Sequence, residues 1–427
     1  MKQWMSRASL AAVAALLVMG VAAPADAQKK SQKAASVKLS KPVQQLLAQA
    51  QPMLAKAQTA SAAKDETAAA AEARAALGLV EQAAALPNLT ADDIFVIHQM
   101  RLNAGILSKD NAQILKALED GLASGRLAAE DQAKYLRNIG ALSLQANDNA
   151  RAMQAFEQLI VINPNDAQLM VEMAELHRRN KNSAKAVELI QQAIAAQERG
   201  GTPADESWYR RALALAYDAK LPPQITVTSE ALVRAYPNAK NWRDVLIIFR
   251  DSAKFDDQAN LDILRLMRAN EALAGERDYA EYADTAIQRG FPGEANAVLD
   301  EGIAKGALQI SKPFVKEMKT SVSPRIASDK ASLPGLAREA NAAATGRAAV
   351  GTADAYLGYG EYAKAAELYR TALKKGGVDA AMVNTRLGLA LGKSGDKAGA
   401  EAALKAVTGP GREQLAKYYL IWLANQS

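Results

Sequence analysis

From Ser40 onward the apolar residues recur at helical spacing, in short segments cut by turn residues. Thr90 is placed to cap one such segment, with Asp92 and Asp93 in its positive first turn and Ile94, Ile97, Leu102 and Ile106 along one side. Ser40 reads as another cap, with Pro42 in the first turn, where a missing N–H costs little. Breaks recur at Leu86-Pro87-Asn88, Gly125, Asn163-Pro164-Asn165, Gly200-Gly201, Pro222-Pro223, Pro237-Asn238, Gly290 to Gly293, Pro334-Gly335, Gly376-Gly377 and Gly409 to Gly411. No segment alternates convincingly. The one β-branched cluster, Ile225-Thr226-Val227-Thr228, reads as a helix start after two prolines. The pattern predicts an all-α chain.

The helices also repeat. Gly140, Ala152 and Phe156 are followed 34 residues later by Ala174, Ala186 and Ile190. A first helix needs a small residue where the second crosses it. The second helix needs a small residue facing back and then a large one to fill the core. Asp148 and Asn182 stand at equivalent places in the turns between helices. The same order returns at a spacing of 35: Ala353 with Gly388, Gly360 with Gly395, Glu361 with Asp396, Ala365 with Ala400, and Tyr369 with Leu404. Gly290 to Gly302, with Ala283 upstream and Ala295 and Leu299 in the second helix, follows suit.

These residues resemble tetratricopeptide repeats, most clearly over 133–200 and 346–410, and best in the segment from Gly360 to Leu373. The resemblance implies an α-solenoid of antiparallel helix hairpins with a concave binding groove. Residues 41–132 and 201–345 read as degenerate helical hairpins, and 411–427 as a C-terminal capping helix. The bulky early position of the repeat is Leu136, Met170, Ala349 and Asn384 here. Its closing proline is present at Pro164 and replaced by Glu198 and Gly377.

Residues 1–27 read as a secretory signal peptide: Lys2 and Arg7, then an apolar stretch from Ala8 to Ala23, then Pro24 and the small-x-small site Ala25-Asp26-Ala27. That stretch is shorter than the roughly 20 residues of a spanning helix. Residues 28–40, with Lys29, Lys30, Lys33 and Lys38, read as a flexible linker. The expectation is a periplasmic or secreted protein with no membrane span in the mature chain. There is no cysteine, so disulfides and thiol chemistry are excluded. Net charge is +6, a weak bias for 427 residues. No basic stripe with interleaved aromatics points to nucleic acid.

Chemistry is hard to find. His98 and His177 are the only histidines, and neither has a second ligand at helical spacing. Gly392-Lys393-Ser394 has the ending of a phosphate-binding loop, but only three residues separate Gly388 from Gly392, and the segment ends a helix. No catalytic, cofactor or metal site is predicted, and the chain is expected not to be an enzyme.

The resemblance points to the first-helix face. There Lys134, Arg137, Gln145, Gln168, Glu175, Arg178 and Arg179 form a mildly basic patch that either receives an acidic peptide segment or is ordinary solvated charge. The family's carboxylate clamp needs an Asn where Ala141 stands. On the last helix, Tyr418 and Trp422 either tuck into the final groove or touch a partner or a second copy. The reading is a non-catalytic scaffold of the bacterial cell envelope binding an unidentified protein. The alternatives are a self-assembling spacer or an accessory subunit of a glycan- or peptidoglycan-processing machine.

Overall fold

The computed structural model describes residues 37–252 and 255–426. The signal-peptide reading of 1–27 and most of the linker lie outside them. Among the described residues every regular element is helical, and no helix is long and apolar enough to cross a membrane. Contacts divide the chain into two units, Met1–Ala155 and Phe156–Ser427.

The N-terminal unit holds α1 (Lys41–Ala62), α2 (Glu66–Ala84), α3 (Ala91–Ser108), α4 (Asn111–Ala123) and α5 (Ala129–Gln145), and α6 (Asn149–Ile162) starts in it. From α1 to α5 each helix packs on the next. Val43, Leu47, Ala50 and Leu54 of α1 meet Ala76, Val80 and Ala83 of α2 and Ile97 and Ala104 of α3. Thr90 caps α3 as expected, and more fully. Its hydroxyl accepts from the Asp93 N–H while Asp93 accepts from the Thr90 N–H, a reciprocal capping box.

The C-terminal unit continues with hairpins α7 (Ala167–Arg179) and α8 (Ser183–Arg199), α9 (Glu206–Asp218) and α10 (Pro222–Ala235), and α11 (Ala239–Ser252) and α12 (Asp257–Ala269). Next come α13 (Gly275–Gln288) with α14 (Pro292–Ala304), and α15 (Pro313–Val322) with α16 (Ile326–Ala342), joined by a 3-10 turn over Ser323–Arg325. The last are α17 (Arg347–Gly358) with α18 (Tyr362–Lys375), α19 (Ala380–Lys393) with α20 (Lys397–Lys405), and a single helix α21 (Arg412–Ala424). First helices begin at 167, 206, 239, 275, 313, 347 and 380, so the degenerate region 201–345 keeps the repeat spacing while losing its residue signature.

The small-residue logic holds where it was read. Ala174, Ala186, Ile190, Ala353, Ala365, Tyr369 and Ala400 are fully buried. A methyl group on Gly388 would overlap the Leu404 side chain of α20, the second helix of its hairpin. Asn182 and Asp396 cap α8 and α20, accepting from the N–H groups of Lys185 and Gly399. Gly360 and Gly395 lie just before their second helices with φ of 76° and 91°, a backbone that favours glycine.

The reading fails at Pro334-Gly335. Helix α16 runs through it. Proline removes one hydrogen bond to the carbonyl of Lys330, but both residues are exposed, so water can satisfy that oxygen.

The unit also departs from a simple row of hairpins. The C-terminal helices fold back on the middle ones: α19 packs on α12, α17 on α14, and α21 on α10, α12, α19 and α20. Helix α12 is consequently buried from Leu261 through Met267, including Asp262 and Arg265.

Candidate functional site

The first-helix face of the C-terminal unit carries a ladder of arginine–carboxylate links. Arg211 of α9 reaches back to Glu175 of α7. Arg210 of α9 reaches forward to Asn241 (2.6 Å) and Asp244 (3.0 Å) of α11. Arg243 of α11 binds Asp278 of α13 at 3.0 Å, and Arg250 binds Glu281. Each link joins one first helix to the next, so the face is held in register by paired charge.

This changes the meaning of the basic patch. Arg178 and Arg179 both donate to Glu175, at 2.6 and 3.1 Å. The hydrogen bond from Arg178 outweighs burial there, and the Glu175 carboxyl is held down at about 2. In the N-terminal unit, Lys134 pairs with Glu130 (2.9 Å) and Asp131 (3.4 Å) of its own helix. Arg137 stands on the same helix, α5. Arg178 and Arg179 are thus answered by Glu175, a residue of the same face, and Lys134 by acids of its own helix.

Beside Arg210 and Arg211 the face opens into a recess of about 650 Å³ between α9 and α11. Leu213, Ala214, Tyr217, Ile247 and Ile248 supply apolar lining, and Arg243, Asp244, Asp218 and Asp251 supply charge. Tyr217 is 44% exposed, one of few large side chains in this unit left so open. Sequence reasoning missed this recess because α9 and α11 lie in the stretch where the repeat signature has eroded.

The second feature is the seam where the unit folds back. Asp262 Oδ1 accepts from Arg386 Nε (2.8 Å) and Arg265 Nη1 (3.1 Å), and Oδ2 accepts from Arg412 Nη1 (2.5 Å). Its backbone carbonyl accepts from the Tyr419 hydroxyl at 2.6 Å. Arg265 also donates to both oxygens of Glu294, at 2.8 and 2.7 Å, and Tyr282 donates to Glu294 at 2.7 Å. Arg386 donates to Asp354 at 2.7 Å, and Tyr369 donates to Asp354 at 2.5 Å. Three arginines thus meet three carboxylates. Burial alone would raise the Asp262 carboxyl, but the guanidiniums of Arg386, Arg265 and Arg412 hold it below its ordinary range. At Asp354 burial wins over its arginines, and the carboxyl is pushed up.

Tyr418 and Trp422 belong to this seam. They are 2% and 0% exposed. Tyr418 packs edge-on against Trp242 and Phe249 of α11, and Trp422 against Tyr419. Their rings are covered by the chain's own helices rather than presented to a partner. The physical reason is that α21 is apolar around most of its circumference and finds a buried slot in the fold-back.

A third feature lies on the edge of the seam. A cleft of about 320 Å³ is bounded by α12, α14, α17 and α19, with Arg268, Glu271, Glu301, Lys305, Tyr362 and Lys393 among its lining. Elsewhere, His98 is fully buried in the N-terminal unit, edge-on to Phe95 and Tyr135 with ring centroids 5.0 and 6.1 Å away. Burial, with some help from Arg101, depresses its pKa, so it packs as a neutral ring.

A scan against family models finds none that matches the chain, and a search of curated proteins finds none either. Among solved structures the chain is similar to a tetratricopeptide repeat protein from Parabacteroides merdae ATCC 43184, at 13% identity and a TM-score of 0.28, covering 82% of this chain and 100% of that one. It is similar to Naa15/Naa10 bound to HypK-THB at 15% identity and a TM-score of 0.27, covering 87% of this chain and 66% of that one. It is also similar to the apo form of RapI at 12% identity and a TM-score of 0.26, covering 77% and 97%.

Proposed function

We propose that this chain is a non-catalytic scaffold of the bacterial cell envelope that binds a segment of another protein along the first-helix face of its C-terminal unit. The supporting observation is the recess between α9 and α11. It combines an open apolar lining at Tyr217, Ile247 and Ile248 with charges on both sides. An apolar anchor flanked by charged residues fits it, the arrangement in which a few buried side chains carry binding and the rim sets register. Arg178 and Arg179, on α7, extend the same face, and Glu175 joins them to Arg211 of α9. Export is proposed from the leader-like pattern of residues 1–27.

The test is site-directed photocrosslinking in intact cells. A photoreactive residue at Tyr217 is expected to capture a discrete protein partner, and the same residue at exposed Glu188 on α8 is not. Equal capture from both positions, or none from Tyr217, would remove the groove reading. Tyr217→Ala is expected to weaken capture by at least about ten-fold, the size of a binding hot spot.

A further inference from the structure

The cleft at the edge of the seam contains charge that the protein does not answer. Glu301 is its busiest acid: Arg268 Nε donates to it at 2.7 Å, Lys305 at 3.1 Å and the Tyr279 hydroxyl at 3.0 Å. Glu294 and Arg265, deeper in the wall, are satisfied by each other and by Tyr282 and Asp262. Lys393 is exposed and has no ion pair or hydrogen bond among the described residues. Its ammonium lies over the Trp422 ring, 5.5 Å from the centroid. The hydroxyl of half-buried Tyr362, on α18, also has no hydrogen-bond partner among the described residues. Burial, joined by the neighbouring charge of Arg268, depresses the Lys393 pKa, and the nearby Glu271 and Glu301 only partly oppose this. Two donors that face only solvent therefore line a cleft in which Arg265, Arg268, Lys305 and Lys393 stand against Glu271, Glu294 and Glu301.

We propose that this cleft binds a small oxyanion, a carboxylate or a phosphate group, with Lys393 as its counter-ion, Tyr362 as a second donor and Arg268 as flanking charge. An oxyanion supplies what the site lacks: acceptor lone pairs for both free donors and a negative charge beside the surplus cation. The cleft has room for the organic group that carries it. A neighbouring recess of about 310 Å³ shares Arg268, Leu357, Gly358 and Tyr362 with it. The donors are side chains on three helices rather than a glycine-rich backbone loop, so the site is unrelated to the loop geometry that Gly388 and Gly392 fail to meet. It is also separate from the partner groove between α9 and α11, and neither reading depends on the other. The cleft draws on α12 and α14 on one side and α17 and α19 on the other. A bound anion would therefore touch both partners of the fold-back and stabilise the unit.

The experiment is thermal unfolding of the full chain with inorganic phosphate or succinate, against sodium chloride at equal ionic strength. Either anion is expected to raise Tm by about 2–3 °C at ten times its Kd. Which anion acts identifies the phosphate or the carboxylate source. Lys393→Met keeps the apolar stem over Trp422 and is expected to weaken binding by at least about ten-fold, and Tyr362→Phe by about three-fold. Acylation of Lys393 at pH 8, read by mass spectrometry, is expected to fall when the effective anion is present. No shift with either anion, or a shift that survives both substitutions, would overturn the proposal.

Discussion

Asp262 and Glu175 each face three guanidinium groups, yet they sit in opposite surroundings. Asp262 is 0% exposed and binds Arg265, Arg386 and Arg412 at the fold-back seam. The Glu175 side chain is 25% exposed and binds Arg178, Arg179 and Arg211 on the first-helix face. Count and chemistry are matched; only the water differs. Water screens the Glu175 cluster and can replace any lost partner, so that cluster aligns neighbouring helices at little risk. The seam has no such reserve. Its charges were taken out of water together, and each depends on the others staying in place. One cluster is an adjustable surface device, while the other fixes a single docking of α17–α21 on the middle hairpins.

The comparison can be broken most directly at Asp262. Asp262→Ala leaves the guanidiniums of Arg386 and Arg412 short of a partner in a buried site. It should cost about 3–5 kcal/mol in urea unfolding of the C-terminal unit. A loss below about 1 kcal/mol would mean that the seam is wet or loosely docked, and the contrast with Glu175 would disappear.

Packing offers a check that involves no charge. Gly388 lies on α19, the helix that carries Arg386 into the seam, and its Cα abuts Leu404 of α20. Gly388→Ala should destabilise by about 1–3 kcal/mol through overpacking, despite the better helix propensity of alanine. If the variant were as stable as the parent, the small-residue account of the hairpins would fail, because alanine would then have gained in propensity without meeting a wall.

His98 asks what burial does to a titratable group with no counter-charge at hydrogen-bond distance. Its folded pKa lies below the ordinary 6.5, so between those two values the unfolded chain holds the extra proton. Stability of the N-terminal unit is therefore full above about pH 6.5 and declines as pH falls towards the folded pKa. Urea unfolding of the N-terminal unit should show stability falling as pH is lowered through that window. His98→Phe should flatten that slope. An identical slope in the variant would place the titration elsewhere.

These sites divide into what a linear reading can and cannot reach. Caps and small crossing residues are local, so Thr90 as a cap, Asn182 as a turn residue and the small or large positions Ala174, Ala186, Gly388 and Leu404 were legible from spacing alone. The seam was not, because Asp262 and Arg386 are 124 residues apart and periodicity says nothing about such pairs. Helix α12 reads as amphipathic, and its polar stripe looks destined for water. In the fold it meets another polar stripe. Two signals could have warned of this. Helix α21 is too apolar to cap a solenoid in solvent, and Arg386 stands directly before the apolar run Leu387 to Leu391. The link from Glu175 to Arg211 of α9 was out of reach for the same reason, because the two residues lie on different helices.

The smallest effect belongs to Glu175 and completes the contrast. Its folded carboxyl lies at about 2 against an ordinary 4.5, so between those values the unfolded chain binds more protons. Whatever stability the cluster provides is present above pH 4.5 and is lost as pH falls towards 2. Solvent screening keeps the total at or below about 1 kcal/mol at neutral pH. Glu175→Gln should therefore lower stability at pH 7 by no more than that, and less in high salt, where exposed pairs are screened. The variant should also lose part of the pH dependence below 4.5. If Glu175→Gln cost as much as Asp262→Ala, the arginine count rather than exclusion of water would set the energy, and the first-helix face would be as rigid as the seam. A small, salt-sensitive loss would leave that face free to adjust around a bound segment, which a binding groove requires.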